Sequence, residues 1–350
     1  MERRKTRAVR AGNIQIGGGA PVSIQSMLCV PADDIEGNQK QAVELEKAGC
    51  EIIRFAVPNI RNVNLIPVLK QVTDMPLVAD IHFDYRIALA CAEAGVDKIR
   101  INPGNITSEQ GVRMVADACR ERGIPIRIGV NSGSVSKAVL KKYGSPTAEA
   151  LCESAMEHVR LLEQEDFHDI VISIKSSRVD TMVKAYRLMS EQVDYPLHLG
   201  VTEAGTAYHG LVKSAMGIGS LLLDGIGDTI RVSLTDDPAE EIRAAKAILQ
   251  GLNLRTFGPR ITSCPTCGRT KIDLIGLAKK VEDALKDCKK DLTVAVMGCA
   301  VNGPGEAREA DVGVAGGEGE GLLFTHGEIV RKVPEDQIIP ALLELIDQIE

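Results

Sequence analysis

The strongest constraint on the fold of this 350-residue chain is a unit that recurs eight times before residue 235. Each unit begins with a short β-branched run ending in Gly, Pro, Asn or Ser, followed by a stretch with apolar residues at helical spacing. Strand alternating with helix favours a parallel sheet, and eight such units favour a closed (β/α)₈ TIM barrel over an open doubly wound sheet. The predicted strands are residues 22–28, 51–58, 76–84, 98–104, 124–134, 169–177, 197–205 and 229–235.

The recurring unit is interrupted once and then ends. A long gap between the fifth and sixth strands holds VSKAVLKKYGSPTAEA, which we interpret as an extra loop or lid over the barrel mouth. A last barrel helix spans 237–254, and the remainder predicts a small α+β domain. We expect a domain at 1–255 and another at 256–350. The predicted elements of the second domain are, in order, a helix (270–288), a strand (291–298), a CAVNGPGEA loop, a strand (311–316), a GGEGEG hairpin, one strand over 322–333 and a closing helix (334–349).

Composition excludes several classes of partner. Lys and Arg number 41 against 48 Asp and Glu, giving a net charge of −7, so a general nucleic-acid footprint is not expected. No apolar run approaches the ~18 residues that a membrane helix needs. The basic N-terminus continues into a polar stretch without the apolar core of a signal peptide. We therefore expect a soluble, cytoplasmic protein.

Three of the nine cysteines form a motif, Cys264-Pro-Thr-Cys267 with Cys299 after a later strand. A thioredoxin-like dithiol would leave Cys299 unused, and a zinc site would need Cys288 or His326 at an irregular spacing. A purely structural role is a third alternative. A [4Fe–4S] cluster fits the pattern best, because thiolates bind iron and Gly/Pro loops donate backbone N–H groups to cluster sulfides. Apart from these three and Cys288, the remaining cysteines are interpreted as small buried hydrophobic residues: Cys29, Cys50, Cys91, Cys119 and Cys152.

Three cysteines leave one iron without a thiolate. Glu306 follows Cys299 by seven residues, on a turn that contains Gly303, Pro304 and Gly305. A carboxylate is a harder and more labile ligand than a thiolate, so a substrate oxygen could displace it. The alternative is an ordinary surface glutamate.

The predicted barrel strands carry charge near their carboxyl ends, where the active sites of such barrels lie. Five cations face Asp80 and Glu203, and the excess positive charge favours a phosphate or diphosphate ligand over an internal ion-pair layer or a solvated rim. No P-loop or dinucleotide fingerprint is present. Glu203 is a candidate proton donor, with a salt-bridge partner as the alternative. The interior set is Arg54, Asp80, His82, Arg100, Asn102, Arg127, Asn131, Lys175, Glu203, Arg231 and Ser233.

The chain resembles the family of bacterial 4-hydroxy-3-methylbut-2-en-1-yl diphosphate synthases nearly end to end. The stretches that carry the resemblance are VADIHFDYRIAL, KIRINPGN, IRIGVNSGS, ISIKSS, GVTEAGT, GIGDTIRVSL, CPTCGR and CAVNGPGEA. It implies a dihydropteroate-synthase-like barrel joined to a [4Fe–4S] domain like those of sulfite and nitrite reductases. The family's bacterial form is a head-to-tail homodimer, in which the cluster domain of one subunit covers the barrel mouth of the other.

The resemblance also implies a reaction and residue roles. The reaction is a two-electron reductive ring opening of 2-C-methyl-D-erythritol 2,4-cyclodiphosphate, with reduced flavodoxin or ferredoxin as electron donor. The product is (E)-4-hydroxy-3-methylbut-2-enyl diphosphate, formed with loss of a hydroxyl as water on the methylerythritol phosphate route to isoprenoids. By the same resemblance Cys264, Cys267, Cys299 and Glu306 hold the cluster, Glu203 is the acid, and the diphosphate is bound by Arg54, Arg100, Arg127, Asn131, Lys175 and Arg231. Asp80, His82 and Asn102 lie in matching motifs.

Two rival functions stay open at this point. A cluster-dependent dehydratase would use iron as a Lewis acid and run without a reductant. An iron–sulfur electron carrier or sensor would have no use for the charged barrel interior and would not bind a cyclic diphosphate.

Overall fold

The computed structural model describes residues 2–82, 84–101, 109–299 and 309–349. The chain divides into two compact units, Met1–Arg255 and Thr256–Glu350. Each unit has its own sheets and its own buried apolar core, and each is described separately below.

The first unit is a parallel β-barrel. The ring runs from β3 through β4, β5, β6, β7 and β8, with β10 and β9 attached on the other side of β3. A parallel bridge between Ile172 and Leu197 links β8 to the residue before β9 and closes the ring. All eight predicted strands are confirmed, with shorter bounds: β3 Ser23–Met27, β4 Ile52–Ala56, β5 Leu77–Asp80, β6 Lys98–Ile101, β7 Ile126–Asn131, β8 Ile170–Lys175, β9 His198–Leu199 and β10 Thr229–Ile230.

A hairpin precedes the barrel and was not predicted from the sequence. Its strands, β1 (Ala8–Ala11) and β2 (Ile14–Gly17), pair antiparallel. Val9 and Ile16 pack against Val78 and Val171, which lie near the amino ends of β5 and β8. The hairpin therefore seals the end of the barrel opposite the carboxyl ends of the strands.

Helices separate the barrel strands as the helical spacing predicts. Their ends follow ordinary capping chemistry: the Asp34 carboxylate accepts from the Gly37 N–H at the start of α1, and Gly49 ends it with a φ of 93°. Among the described helices, none has both the length and the apolar composition that crossing a bilayer requires. They are α1 Ile35–Ala48, α2 Leu65–Leu69, α3 Tyr85–Glu93, α4 Glu109–Arg122, α5 Lys137–Tyr143, α6 Ala148–Gln164, α7 Val179–Gln192, α8 Ala207–Leu223 and α9 Pro238–Gly251.

The predicted extra segment between the fifth and sixth strands is helical. The seven-residue helix α5 begins after Ser136, whose hydroxyl accepts from the Val139 N–H, and it ends at Gly144 with a φ of 76°. The following helix α6 starts at Thr147, another side-chain cap. The segment is thus an additional short helix in front of an ordinary barrel helix.

The second unit is a mixed five-stranded sheet. Strands β11 (Arg260–Ser263), β12 (Thr293–Met297) and β13 (Val312–Gly316) are parallel, and β14 (Glu320–Thr325) and β15 (Glu328–Pro334) add antiparallel pairs. Helices α10 (Leu274–Ala284) and α11 (Ile338–Gln348) complete the unit, and both contribute to its main apolar cluster. The predicted α+β character is therefore confirmed.

One predicted strand of this unit is wrong. In place of a single strand over 322–333, a turn at His326 and Gly327 separates β14 from β15. Both turn residues have positive φ, 48° and 82°, which is the backbone of a type I′ hairpin turn. A histidine at such a position is uncommon, so the His-Gly pair gave a weaker signal than Asn-Gly would have given.

Candidate active site

A polar cavity of about 270 Å³ lies at the carboxyl ends of the barrel strands. Its walls bring together residues from β4, β5, β6, β7 and β8, and from the segments that follow β5, β9 and β10. Nine of the side chains predicted to share the barrel interior line it: Arg54, Asp80, His82, Arg100, Arg127, Asn131, Lys175, Arg231 and Ser233. Gly129, Val130, Ser173 and Thr202 complete the wall and were not named from the sequence.

Asp80 is the acid at the centre of the cationic wall. Its carboxylate lies 3.0 Å from Arg100 Nη1 and 3.6 Å from Arg54 Nε. Burial alone would raise the pKa of Asp80, but the charges of Arg54 and Arg100 outweigh it and hold that pKa below its ordinary value. Asp80 is therefore a carboxylate that positions two guanidiniums and is not a proton donor at neutral pH.

Arg231 is held by a residue that sequence reasoning missed. Glu241, on helix α9, lies 3.5 Å from Arg231 Nε and accepts hydrogen bonds from the Ser26 hydroxyl and the Leu234 N–H. It is only 4% exposed, which is unusual for a glutamate. Its place in the helix after the last strand gave no local signal that its carboxylate returns to the barrel.

The wall keeps an excess of positive charge. Arg127 is 1% exposed and donates to the amide oxygen of Gln25 at 3.3 Å, a neutral acceptor. Within the described residues, no acid forms an ion pair with Arg127 or Lys175. Burial lowers the pKa of Lys175 well below its ordinary value, and the charges of Arg231, Arg54, Arg127 and Arg100 lower it further. Such a group of cations is stabilised when an anion enters the cavity.

Asn131 and Gly129 shape the cavity in different ways. The Asn131 amide oxygen accepts from the Gly133 N–H at 3.0 Å, which leaves its NH₂ group as the donor for a ligand. Arg100 crosses directly over Gly129 and donates to its carbonyl oxygen at 3.2 Å, and a Cβ on Gly129 would overlap the guanidinium. Asn102, which was predicted to share this wall, lies outside the described residues.

The predicted acid Glu203 is not on the interior face of its strand. Strand β9 ends at Leu199, and Glu203 follows four residues later with an exposed side chain. Thr202, its neighbour, occupies the position that lines the cavity. Glu203 has a φ of 52°, a conformation that costs a non-glycine residue about 1–3 kcal/mol and that clusters at functional sites. The strand alternation that predicted Glu203 on the interior face does not apply beyond Leu199, where β9 ends.

Two of the motif cysteines lie just beyond the carboxyl ends of neighbouring strands in one sheet. Strands β11 and β12 are parallel with Ser263 opposite Val296, Cys264 follows β11 directly, and Cys299 lies two residues beyond β12. The backbone N–H of Gly298 donates to Cys264 Sγ at 3.2 Å. Backbone donors to sulfur are typical of iron–sulfur sites.

Cys267 is exposed, on the turn between Cys264 and helix α10. Hydrogen bonds from the backbone and side chain of Arg269 lower the pKa of its thiol. Across the residues that the structure describes, no group of three or more His, Cys, Asp or Glu side chains is placed to hold a metal ion. Glu306, the predicted fourth ligand, lies outside those residues. All nine cysteines are free thiols.

The chain matches two family descriptions in succession. Residues 6–246 match the GcpE TIM-barrel domain and residues 260–348 match the GcpE protein C-terminal domain. The chain belongs to the GcpE family. The resemblance stated from the motifs is thereby confirmed.

Relatives in the GcpE family align with this chain from end to end. A protein of Clostridium perfringens is 58% identical over 100% of both chains, and one of Fusobacterium nucleatum is 56% identical over 99% of this chain and 98% of its own. A third, from Geobacillus thermodenitrificans, is 53% identical over 100% of this chain and 93% of its own. Each bears the name 4-hydroxy-3-methylbut-2-en-1-yl diphosphate synthase (flavodoxin).

The barrel of this GcpE family member is also similar to solved dihydropteroate synthases. The Yersinia pestis enzyme aligns with a TM-score of 0.51 at 12% identity, over 71% of this chain and 100% of its own. The Xanthomonas albilineans enzyme aligns with a TM-score of 0.51 at 14% identity, over 71% and 98%. At this identity the likeness concerns the fold alone, and it confirms the predicted dihydropteroate-synthase-like barrel.

Proposed function

We propose that this protein is a 4-hydroxy-3-methylbut-2-en-1-yl diphosphate synthase, an oxidoreductase of isoprenoid biosynthesis. It converts 2-C-methyl-D-erythritol 2,4-cyclodiphosphate, two electrons and one proton into (E)-4-hydroxy-3-methylbut-2-enyl diphosphate and water. The observation that carries the proposal is the barrel cavity, where five cations face Asp80 and Glu241 among the described residues. A cyclic diphosphate supplies the negative charge that this wall lacks.

The barrel binds and orients the diphosphate. Arg54, Arg100 and Arg231 present planar forks that match phosphate oxygens, and their carboxylate partners fix the orientation of each guanidinium before the ligand arrives. Arg127 adds charge without an acid of its own, and Lys175, whose pKa is lowered by burial, is a further hydrogen-bond donor to the ligand. The Asn131 NH₂ group donates to a ligand oxygen. His82, Ser233 and Asn102 belong to the same proposed substrate-binding set.

Glu203 is the proposed proton donor. The hydroxyl that leaves as water needs a proton, and an exposed carboxyl beside the cavity wall can deliver it when a second surface covers the mouth. The strained backbone at Glu203 supports this role, because such strain clusters at functional sites.

The C-terminal unit is the proposed home of a [4Fe–4S] cluster, held by Cys264, Cys267, Cys299 and Glu306. The donor set fits this group: two cysteines stand at one sheet edge, one already accepts a backbone N–H, and the third has a lowered thiol pKa. When bound there, the cluster supplies the two electrons one at a time. The likeness of this unit to sulfite and nitrite reductase domains belongs to the same proposal.

The proposed partners are reduced flavodoxin or ferredoxin and a second copy of the chain. The relatives' name supports flavodoxin. An apolar face of α8, with Tyr208, Leu211, Val212 and Met216 exposed at helical spacing, supports association with another chain. In the head-to-tail homodimer, the cluster domain of one chain covers the cavity of the other. A cytoplasmic location is part of the proposal, since free thiols persist in a reducing compartment.

The test is an anaerobic reconstitution of the full chain with iron and sulfide, followed by reductant and the cyclic diphosphate. We expect the allylic diphosphate only when cluster and reductant are both present. A product formed without reductant would favour the dehydratase. A cluster spectrum without binding of the cyclic diphosphate would favour an electron carrier or sensor and would overturn the proposal.

A further inference from the structure

A lysine lies at the bottom of the barrel, below the cavity. Lys98, on β6, is the register partner of Val78, which belongs to the apolar cluster sealed by the β1–β2 hairpin. Lys98 shares its strand face with Arg100, two residues nearer the mouth, and Arg100 lines the cavity. The side chain therefore lies inside the barrel, between the hairpin seal and the cationic wall, and it is 0% exposed.

Lys98 has no hydrogen-bond partner for its amino group among the described residues. The same holds for other buried polar atoms of this region: Gln25 Nε2, Arg127 Nε, Thr229 Oγ1 and both ring nitrogens of His198. Thr229 and His198 are register partners, so these groups lie side by side on neighbouring strands. An ammonium group in such surroundings carries a large cost of desolvation that no described side chain offsets.

The charges that face Lys98 are positive or already neutralised. Arg127 on β7 and Arg54 on β4 act on it directly, and His198 on β9 is coupled to it. On β5, Asp80 is engaged by Arg54 and Arg100. The remaining interior neighbours, Gln25 on β3, Val171 on β8 and Thr229 on β10, carry no charge. Burial lowers the pKa of Lys98 well below its ordinary value, and Arg127 and Arg54 lower it further.

We propose that Lys98 is a neutral amine in the free protein and takes up one proton when a diphosphate binds among the guanidiniums above it. The proton comes from the solvent and bonds to the Nζ lone pair, and no bond of the ligand breaks. The anion supplies the negative charge that a buried ammonium group lacks, in a low-dielectric interior where such an interaction is strong. Lys98 is thus a residue that links substrate binding to proton uptake.

Lys98 is the acceptor in preference to His198 for an intrinsic reason. An unperturbed lysine amine is about four pKa units more basic than imidazole, so under similar burial Lys98 gains its proton first. Arg127 lines the cavity and its charge also lowers the pKa of Lys98. An anion bound beside Arg127 offsets that charge and therefore favours protonation of Lys98.

The experiment is isothermal titration calorimetry of the full chain with the cyclic diphosphate, anaerobically and without reductant so that no turnover occurs. Both phosphates of this ligand are bridged diesters that carry no titrating proton near neutral pH. The heat is measured in buffers of different ionisation enthalpy, and its dependence on the buffer gives the number of protons taken up. We expect uptake of at least one proton by the wild type, because Lys175 in the cavity wall also has a lowered pKa and can add to the uptake by Lys98, and an affinity that weakens as the pH rises.

Variants assign the proton to a residue. Lys98→Met should take up one proton fewer than the wild type, and its affinity should depend less steeply on pH. Lys98→Arg, which carries a permanent charge, should show the same loss of one proton and is the second variant if Lys98→Met does not fold. His198→Asn should keep the proton uptake of the wild type, as should the surface control Lys40→Met, whose side chain is 78% exposed.

The inference uses the ligand of the proposed function, and the outcomes separate the two. Binding of the cyclic diphosphate with no proton uptake by the wild type overturns the role of Lys98 and leaves the proposed function intact. If the cyclic diphosphate does not bind, the proposed function fails, and sulfate, which also lacks a titrating proton near neutral pH, replaces it as the probe. A proton uptake in Lys98→Met equal to that of the wild type, or a loss of one proton in His198→Asn, contradicts the assignment to Lys98. Failure of both anions to bind overturns the inference together with the proposed function.

Discussion

The barrel cavity and the cysteine motif differ in how their residues are placed. The cationic wall comes mainly from successive parallel strands, whose register puts Arg54, Asp80, Arg100 and Arg127 at one end of one barrel. The cysteines lie in the turns that follow strands, where no register acts. Cys264 and Cys299 share a sheet edge, whereas Cys267 is exposed on a turn.

This difference shows that residues on strands have positions set by the strand register, whereas residues on turns have only their chemical type set by the sequence. A residue on a strand inherits its direction from side-chain alternation, so its neighbours follow from the strand order. A residue on a turn has a specific identity but no repeating geometry, and its ligand completes the arrangement. The barrel wall is accordingly preformed, and the cysteine site is expected to depend on its cluster.

The largest expected effect comes from replacing one of the motif cysteines. Cys299→Ser removes the one cysteine of the sequence CAVNGPGEA, so the visible absorbance of the reconstituted cluster, its iron content and the activity should all be lost. Cys288→Ser, in the same unit, is the matched control and should retain all three. A complete cluster signal in Cys299→Ser would contradict the ligand assignment.

A change at Glu203, the proposed proton donor, should lower the rate of the reaction without affecting cluster assembly. Glu203→Gln should keep the cluster spectrum and substrate binding, while kcat falls about 100-fold or more because the leaving hydroxyl lacks its proton donor. Steady-state kinetics beside the absorbance spectrum measure both. Glu240→Gln, on α9, is the control, because the side chain of Glu240 is half-buried on the helix surface and pairs with Arg243. Full activity in Glu203→Gln would refute the acid role.

A substitution in the preformed cavity wall should mainly weaken the affinity for the substrate. Arg100→Met removes a guanidinium that Asp80 holds at 3.0 Å, and the substrate dissociation constant should rise about 10- to 100-fold, as expected for one charged hydrogen bond. Arg86→Met, an exposed arginine paired with Asp84, should bind like the wild type. An unchanged dissociation constant in Arg100→Met would show that this part of the wall does not contact the ligand.

A smaller change tests how exactly the wall is positioned. In Gly129→Ala the new methyl group overlaps the Arg100 guanidinium, which must shift, and the dissociation constant should rise about three- to tenfold with kcat little changed. Gly133→Ala is the control, because a Cβ there is 3.5 Å from Asn131 Oδ1, an ordinary contact. Equal affinities for both variants would show that the position of Arg100 is not critical.

The smallest effect concerns stability and pH. Asp80 has a lowered pKa, so its ion pairs contribute stability above the unfolded carboxyl pKa of about 4, and this contribution is lost as the pH falls through the lower folded value. Asp80→Asn should destabilise the barrel by about 1–3 kcal/mol at neutral pH and by less in acid. Urea unfolding at several pH values measures this, with exposed Asp74→Asn as the control. A pH-independent difference would exclude the linkage.

Most residues of the cavity wall could be predicted from the sequence, but the carboxylate that holds Arg231 could not. The two-residue alternation correctly placed Asp80 and His82, or Arg127 and Asn131, on one wall. The same rule extends backwards from Arg100 to Lys98, which shows that the signal for the buried layer was present in the sequence. Glu241 gave no such signal, because its carboxylate reaches Arg231 from a helix that follows the barrel strands.

The barrel architecture, the second unit and the cationic character of the site were determined by the sequence alone, because each depends on a local period or on composition along strands. Only the tertiary structure decided which carboxylate holds which guanidinium, that Thr202 and not Glu203 lines the cavity, and that Lys98 lies sealed without a counter-ion among the described residues. These facts depend on groups far apart in the chain that meet only when the barrel closes. Burial and pairing are properties of that closed ring and not of any one of its strands.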